Sequence, residues 1–212
     1  MSRFEEWCKK GRDIFLRNTK VAENYFFMTL LQVLSLFIGL LLYPYLIRVL
    51  GAEKYGLYVL SISIASYFLI MVSFGFSWLG LKDISKNKDD REIKSRVLST
   101  VFSAKLLLAV FVFALFFLLV QTIPFFSRNT VILFLSFVQV IIPDLLFPTW
   151  YFQGIQKMKI VTYIQLIFRA VTIPFIFIFI KQPVDVEIYA VIVASSLVLA
   201  GVVSIIYLVK KE

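Results

Sequence analysis

The stretch VLSTVFSAKLLLAVFVFALFFLLV, residues 97–120, decides the fold class of this chain. It is long enough to cross a membrane, because about 20 apolar residues in an α-helix span the roughly 30 Å of hydrocarbon in a bilayer. Lys105 is its only charged residue. A helix that is apolar on every side belongs in a large core or in lipid. The stretch therefore predicts a transmembrane helix.

Five further apolar runs resemble this one. They cover about residues 24–47, 55–80, 130–151, 162–180 and 188–209. The 212 residues are 60% hydrophobic and 17% charged, whereas soluble domains are about 45 to 50% apolar. The sequence therefore predicts an all-α integral membrane bundle of about six transmembrane helices, together forming one domain over residues 24–209.

The segments between and before the spans are polar. Residues 1–23 are basic and amphipathic, which favours either a helix on an anionic membrane surface or a frayed tail. They do not resemble a cleaved signal peptide, so we expect the first span to be retained. Residues 82–96 are too charged for hydrocarbon and predict a loop. Glycine near Arg48 predicts a turn, and two prolines in the fourth span predict a kink.

The distribution of Lys and Arg predicts the orientation of the spans. Short cytoplasmic loops carry the excess of these residues. Sixteen Lys and Arg residues lie in the N-terminal segment, in the loops after spans two and four, and in the tail at 210–212. The three opposite loops together hold four. Both termini are therefore expected to be cytoplasmic.

Composition argues against several other functions. The net charge of +9 would suit nucleic acid only on a solvated basic face, and these charges lie between apolar runs. The chain has no histidine and a single cysteine, Cys8, so we expect no metal centre and no internal disulfide. No nucleophile elbow, phosphate loop or paired-carboxylate site is recognisable. We therefore expect neither an enzyme nor a cofactor.

Five polar residues inside the predicted spans are the candidate site. They are Gln32, Lys105, Asp144, Gln165 and Arg169. At about 1.5 Å per residue, the three charged ones lie roughly 10 to 12 Å below the cytoplasmic boundary. One hypothesis is a cationic cavity for an anionic ligand such as a diphosphate, with Asp144 able to pair with Arg169. The other is a structural ion pair with snorkelling cations.

Small and aromatic residues have simpler interpretations. The glycines at 75 and 80 and the serines of the second span predict close helix packing. Trp78, Trp150 and Tyr151 lie at predicted span ends and predict anchors at the membrane interface.

Two segments resemble the Wzx-type O-antigen flippases, the polysaccharide repeat-unit exporters of the multidrug/oligosaccharidyl-lipid/polysaccharide superfamily. They are YLIRVLGAEKYGLY, residues 45–58, and FPTWYFQGIQKMK, residues 147–159. The residues that carry the likeness are Arg48, Gly51, Glu53, Tyr55, Gly56, Pro148, Trp150, Gln153, Gly154 and Lys157. Gln156 stands where the family usually has glutamate. The likeness runs from Asn24 to the end of the chain, and the chain resembles the N-terminal six-helix half.

The resemblance implies a flippase that moves undecaprenyl-diphosphate-linked oligosaccharide from the inner to the outer leaflet of a bacterial plasma membrane. It implies alternating access between two six-helix lobes, so a second lobe is an expected partner, in the same chain or from another. Membrane lipids, a polysaccharide polymerase and chain-length machinery are further expected partners. A cation gradient would drive transport, with Asp144 as the candidate ion-coupling carboxylate.

Two other functions are left open by the sequence. A related multidrug or cation antiporter would favour more buried carboxylates and a less cationic interior, and Lys105 and Arg169 argue mildly against it. A non-transporting remnant or assembly partner is the other alternative, because one lobe has no second lobe to alternate against unless another chain supplies it.

Overall fold

The computed structural model describes the backbone of residues 2–88 and 90–211 and the side chains of Thr19, 21–88 and 90–210. All regular structure in this described part is helical, as predicted. The helices are α1 (Ser2–Ser73), α2 (Phe76–Lys86), α3 (Arg91–Thr122), α4 (Pro124–Arg128), α5 (Thr130–Leu146), α6 (Thr149–Gly154), α7 (Met158–Phe179) and α8 (Val186–Lys211), with a 3-10 turn at Pro183–Asp185.

Helix α1 consists of two arms that meet at Gly51. Gly51 has non-helical dihedral angles of φ 78° and ψ 155°, a conformation that only glycine adopts without a steric penalty. The rings of Tyr43 and Tyr55 lie 5.8 Å apart, whereas twelve residues of straight helix would separate them by about 18 Å. The chain therefore folds back on itself here, which confirms the predicted turn.

Within the described residues, five helical stretches are long and apolar enough to cross a membrane. They are Val21–Ser73, Arg91–Thr122, Thr130–Gly154, Met158–Phe179 and Pro183–Lys210. The first, at 53 residues, would be about 80 Å long if straight, more than twice the thickness of the hydrocarbon. Because Gly51 divides it into two arms, the bundle has six apolar segments of spanning length. The all-helical membrane bundle is confirmed; the span boundaries stay predictions.

Contacts between helices fix their directions. The first arm of α1 runs parallel to α7, because Asn24 accepts a hydrogen bond from the Met158 amide at 3.0 Å and Tyr45 donates one to the Ile180 carbonyl at 2.7 Å. Helices α7 and α8 are consecutive and antiparallel. We call the end of the bundle that holds Asn24 the basic end and the end that holds Tyr45 the opposite end.

The basic end collects the charged connections that the sequence separates. Arg91 and Lys94 at the start of α3 line a depression together with Tyr151 of α6 and Leu208 of α8. Leu208 also belongs to the same buried cluster as Met158, the first residue of α7. The loops grouped as basic by the charge count thus lie together at one end of the bundle.

The charged stretch 82–96 is mostly helical, so the prediction of a loop is wrong. Helix α2 continues to Lys86 and α3 begins at Arg91, which leaves only residues 87–90 between them. Asp90 caps α3 by accepting a hydrogen bond from the Ile93 amide at 3.0 Å. The prediction rested on the cost of placing charges in hydrocarbon, and this cost does not prevent charged residues from forming helices where water solvates them.

Two predicted spans are interrupted. The second ends at Ser73, because Phe74 and Gly75 have positive φ values of 34° and 79°, and α2 starts a new helix. The fourth is broken at residues 147–148, between α5 and α6, which confirms the predicted kink. The position before a proline disfavours helical geometry, so Pro148 accounts for the break at Phe147.

Helix α5 is the centre of the bundle. It packs against α1, α3 and α8, and its fully buried side chains include Leu133, Phe137 and Ile141. Phe137 packs against Phe116 of α3 with ring centroids 4.6 Å apart and against Phe68 of α1 at 5.0 Å, the ring planes being tilted by 45° in both pairs. This aromatic core holds the helices that carry the polar side chains considered below.

Of the predicted anchors, only Trp78 is accessible. It is 77% exposed, whereas Trp150 and Tyr151 are 7% and 2% exposed, so the prediction of interface anchoring is wrong for these two. The reason is Gly80, where a Cβ atom would lie only 2.6 Å from Cζ3 of Trp150. A glycine on α2 thus makes room for the indole of α6, and close packing at Gly80 is confirmed.

This close approach predicts that Gly80→Ala destabilises the protein. Replacing glycine by alanine within a helix normally stabilises it by about 1 kcal/mol, but overpacking costs about 1 to 3 kcal/mol. We expect a lower thermal unfolding midpoint of the purified chain for Gly80→Ala. Gly56→Ala is the matched control, because nothing lies within 4 Å of a Cβ atom there. Equal midpoints for the two variants would contradict the packing described.

Candidate functional site

An ion pair joins α3 to α5 inside the bundle. The Lys105 Nζ donates to Oδ2 of Asp144 at 2.8 Å. Lys105 is only 2% exposed, whereas the side chain of Asp144 is 29% exposed. Ser73, at the end of the second arm of α1, donates to the same Oδ2 at 3.4 Å. Three helices thus meet at one carboxylate oxygen.

The sequence of α3 explains why this lysine faces inward. The buried residues of α3 are Val101, Lys105, Ala109, Val112 and Phe116, and their spacing of three and four places them on one face of the helix. That face packs on α5. Lys105 is therefore held in the interior by its apolar neighbours, and a buried ammonium requires a partner of opposite charge. Asp144 is that partner.

The pairing of Asp144 with Arg169 expected from the sequence is wrong. Helix α8 packs against both α5 and α7, whereas α5 and α7 make little direct contact. Consecutive spans were expected to form a hairpin, but α8 lies between them. Asp144 therefore faces α3, and Arg169 faces a different part of the bundle.

Asp144 and Arg169 nevertheless lie at a similar height. Gly201 of α8 meets Leu146 of α5, and Ser196 of α8 accepts a hydrogen bond from Thr172 of α7 at 2.6 Å. Helix α5 runs parallel to α8, so Asp144, two residues before Leu146, is level with about residue 199 of α8. Helix α7 runs antiparallel to α8, so Arg169, three residues before Thr172, is level with the same residue. The charged groups thus share one level but lie on opposite sides of α8.

Arg169 lines a cavity of about 220 Å³ between the first arm of α1, α7 and α8. Ser35, Thr172, Tyr189 and Ser196 also line it. Within the described part of the chain, the half-buried guanidinium of Arg169 has no hydrogen-bond or ion-pair partner. Its five N–H donors are therefore available to an anion.

Gln32 and Gln165 belong to the Arg169 side of the bundle. The hydrogen bonds between α1 and α7 join residues about 134 positions apart in the sequence. This offset places Gln32 level with Gln165. Gln32 is exposed and Gln165 half-buried, and Gln165 is one helical turn from Arg169. The five candidate residues therefore form two groups, one around Arg169 and one around Lys105.

The Lys105 group lines a larger cavity, of about 290 Å³, between α3, α5 and α8. Its wall is mainly apolar, and its polar side chains are Ser95, Ser99, Lys105 and Asp144. An ion pair in such a setting can hold helices together, because removing either partner would leave the other charge uncompensated.

The residues of the two recognised segments build the turns of the fold. Arg48, Glu53 and Gly56 are exposed around the break at Gly51 and Tyr55 is half-buried. In the second segment, Pro148 and Trp150 are buried, while Gln153 and Lys157 are half-buried. A Cβ atom on Gly154 would lie 2.6 Å from Cγ2 of Ile84. Gln156 has a positive φ of 58° and turns the chain into α7.

Sequence reasoning missed a polar cluster towards the opposite end. Gln139 of α5 donates to the Tyr58 hydroxyl at 2.8 Å, and the rings of Tyr58 and Tyr189 lie 5.0 Å apart. All three lie within spans. A glutamine in the middle of an otherwise apolar run was the available signal, because a buried amide requires a hydrogen-bond partner.

Comparison with known proteins identifies relatives. The family described as "Polysaccharide biosynthesis protein" matches residues 21–211. A curated relative, the "Putative O-antigen transporter" of Escherichia coli (strain K12), is 28% identical over 182 residues, which cover 86% of this chain and 44% of that protein. The chain therefore spans less than half the length of that relative. No solved structure matches significantly.

The family match covers nearly the whole chain and agrees with the two recognised segments and the helical membrane bundle. The chain belongs to the polysaccharide biosynthesis protein family.

Proposed function

We propose that this chain is one lobe of a flippase for undecaprenyl-diphosphate-linked oligosaccharide repeat units. Its family membership and the name of its relative support a transport function in surface polysaccharide synthesis. The observation that carries the proposal furthest is the guanidinium of Arg169, which is half-buried within a transmembrane segment and has no carboxylate partner among the residues that the structure describes. A cation at this depth is costly and commonly marks a substrate pathway.

The anionic part of the substrate fits this group. Arginine binds phosphate oxygens through two parallel hydrogen bonds. Gln165 and Gln32 on neighbouring helices offer amide groups for the sugar or for a second phosphate. In this proposal, the surface of α1 and α7 is one wall of the transport pathway.

A second six-helix lobe completes the pathway in this proposal. It is supplied in the same chain or by another, and its cavity wall faces Gln32 and Arg169. Transporters commonly bind their substrates between two such repeats and expose the site to each side in turn. The chain spans 44% of its relative's length, which leaves room in that protein for a lobe of this size.

Asp144 is the proposed site for a coupling ion. Its carboxylate is a third exposed and lies beside Lys105. A proton or sodium ion that binds there has to compete with the lysine ammonium, so binding loosens the link between α3 and α5. This link would connect ion binding to helix movement. Lys105 acts through Asp144 and is a positioning residue.

We further propose that the bundle lies in the bacterial plasma membrane with its basic end in the cytoplasm. Sixteen Lys and Arg residues outside the spans fall at the predicted cytoplasmic side against four at the other, which is the asymmetry of the positive-inside rule.

This orientation predicts the labelling of introduced cysteines. In a Cys8→Ser background, Gln182→Cys at the opposite end should react with a membrane-impermeant maleimide in intact spheroplasts. Asn87→Cys, between α2 and α3, should react only after the membrane is permeabilised. Asn87 is half-buried and Gln182 exposed, so the labelling of Asn87→Cys after permeabilisation is the control that separates side from burial. The reverse pattern would contradict the orientation.

The transport proposal predicts a defect for Arg169→Gln. Export of repeat units is measured as surface polysaccharide in cells that lack their own flippase, with the chain expressed alone or joined to a second six-helix lobe. We expect restoration only with the second lobe. In that context Arg169→Gln should lower export about tenfold, since a hydrogen bond to a charged group contributes about 1.5 to 3 kcal/mol.

Arg96→Gln is the matched control, because Arg96 is exposed and pairs only with Glu92 in its own helix. All variants are compared at equal membrane levels. If Arg169→Gln and Lys105→Gln both export normally, the polar groups have no role in transport and the proposed pathway is wrong.

A further inference from the structure

A groove at the basic end combines cationic and apolar walls. Its mouth is a depression of about 200 Å³ lined by Arg91 and Lys94 of α3. Its inner part is the 290 Å³ cavity that ends at the ion pair. The two share Ser95, Leu98, Leu208 and Val209 in their walls, so they adjoin each other. We call the two together the α3–α8 groove.

The length of the groove matches one leaflet of a bilayer. Lys94 at the mouth and Lys105 at the inner end are eleven residues apart on α3, which corresponds to about 16 Å. Half the hydrocarbon thickness of a bilayer is about 15 Å. A molecule with its headgroup at Lys94 would therefore place its tail along the groove and end beside the ion pair.

The walls change character along this length. Beyond the mouth the lining is chiefly apolar, and its side chains include Leu98, Phe102, Leu145, Trp150 and Ile205. Val209, at the rim, is 79% exposed. Such a wall favours a hydrocarbon chain over water or a sugar, because it would leave the polar groups of water or sugar without hydrogen-bond partners, whereas a hydrocarbon chain has none to satisfy.

The mouth favours a negative headgroup. Arg91 is exposed and Lys94 half-buried, although Lys94 also has a partner within the chain. Among the described residues nearby, Asp90 caps α3 and Glu92 pairs with Arg96. Arg91 and Lys94 both carry N–H donors, and such donors bind phosphate oxygens through charge-assisted hydrogen bonds.

From this combination we propose that the α3–α8 groove binds an anionic glycerophospholipid of the adjoining leaflet. Its phosphate contacts Arg91 and Lys94, and one acyl chain fills the apolar part. The groove is small for an oligosaccharide, since its inner cavity is at the lower limit of ligand pockets. The bound chain covers the exposed part of Asp144 and keeps water from the ion pair, which strengthens it.

Tryptophan quenching tests this proposal in the 212-residue chain reconstituted into vesicles. Trp7→Phe and Trp78→Phe leave Trp150, which lines the groove, as the only tryptophan. Phosphatidylglycerol or phosphatidylcholine with brominated acyl chains is added at matched mole fractions. We expect stronger quenching by phosphatidylglycerol. Removing the charge of either Arg91 or Lys94 should weaken the apparent affinity for phosphatidylglycerol about fivefold.

Three variants make the result specific. Arg91→Gln with Lys94→Gln should reduce quenching by phosphatidylglycerol to the level of phosphatidylcholine, whereas Lys82→Gln with Lys86→Gln, exposed on α2, should not. Ser99→Phe, which fills the groove, should reduce quenching by both lipids. Retained folding is checked by the unfolding midpoint of each variant.

Three outcomes would overturn the proposal. The first is equal quenching by both lipids in the parent chain. The second is an anionic preference that the Arg91 and Lys94 variant retains. The third is displacement of brominated phosphatidylglycerol by undecaprenyl diphosphate at a lower mole fraction than by unlabelled phosphatidylglycerol, which would assign the groove to the isoprenoid carrier.

Discussion

The hydrocarbon of the bilayer offers no hydrogen-bond partner, and this constraint determines the rest of the structure. Every backbone amide in a span has to be satisfied within its own helix, which explains why all described regular structure is helical. Polar side chains also need hydrogen-bond partners within the protein. Three such pairs are Lys105 with Asp144, Tyr58 with Gln139, and Thr172 with Ser196. These links join separate helices, whereas apolar contacts alone would discriminate poorly between protein and lipid.

Much of the fold could be predicted from the sequence because hydropathy and length report directly on this constraint. The apolar runs, the turn at Gly51 and the break before Pro148 all depend on local chemistry. The ends of α2 and α3 could not be read in the same way, because charged residues do not stop a helix once it has left the hydrocarbon. The inward turn of Trp150 depended on Gly80, about seventy residues away, and hydropathy carries no signal for such a contact.

The candidate site was predicted in part. Its residues could be predicted because polar and charged side chains are costly in lipid, and their common height follows from the rise of a helix. Their hydrogen-bond and ion-pair partners could not be predicted, because these depend on which helices are neighbours. Helix α8 lies between α5 and α7, so Asp144 meets Lys105, and Arg169 has no carboxylate beside it in the described part of the chain. This separation gives the bundle a neutral pair on one side of α8 and, among the described residues, an uncompensated cation on the other.

The coupling free energy between Lys105 and Asp144 tests this account most directly. It is obtained from the unfolding free energies of the chain in lipid with Lys105→Gln, Asp144→Asn and both together. Removing one partner of a buried pair costs about 3 to 5 kcal/mol, so each single variant should be strongly destabilised and the double variant should cost much less than their sum. Additivity within about 0.5 kcal/mol would mean that the two charges do not interact, and would contradict the account.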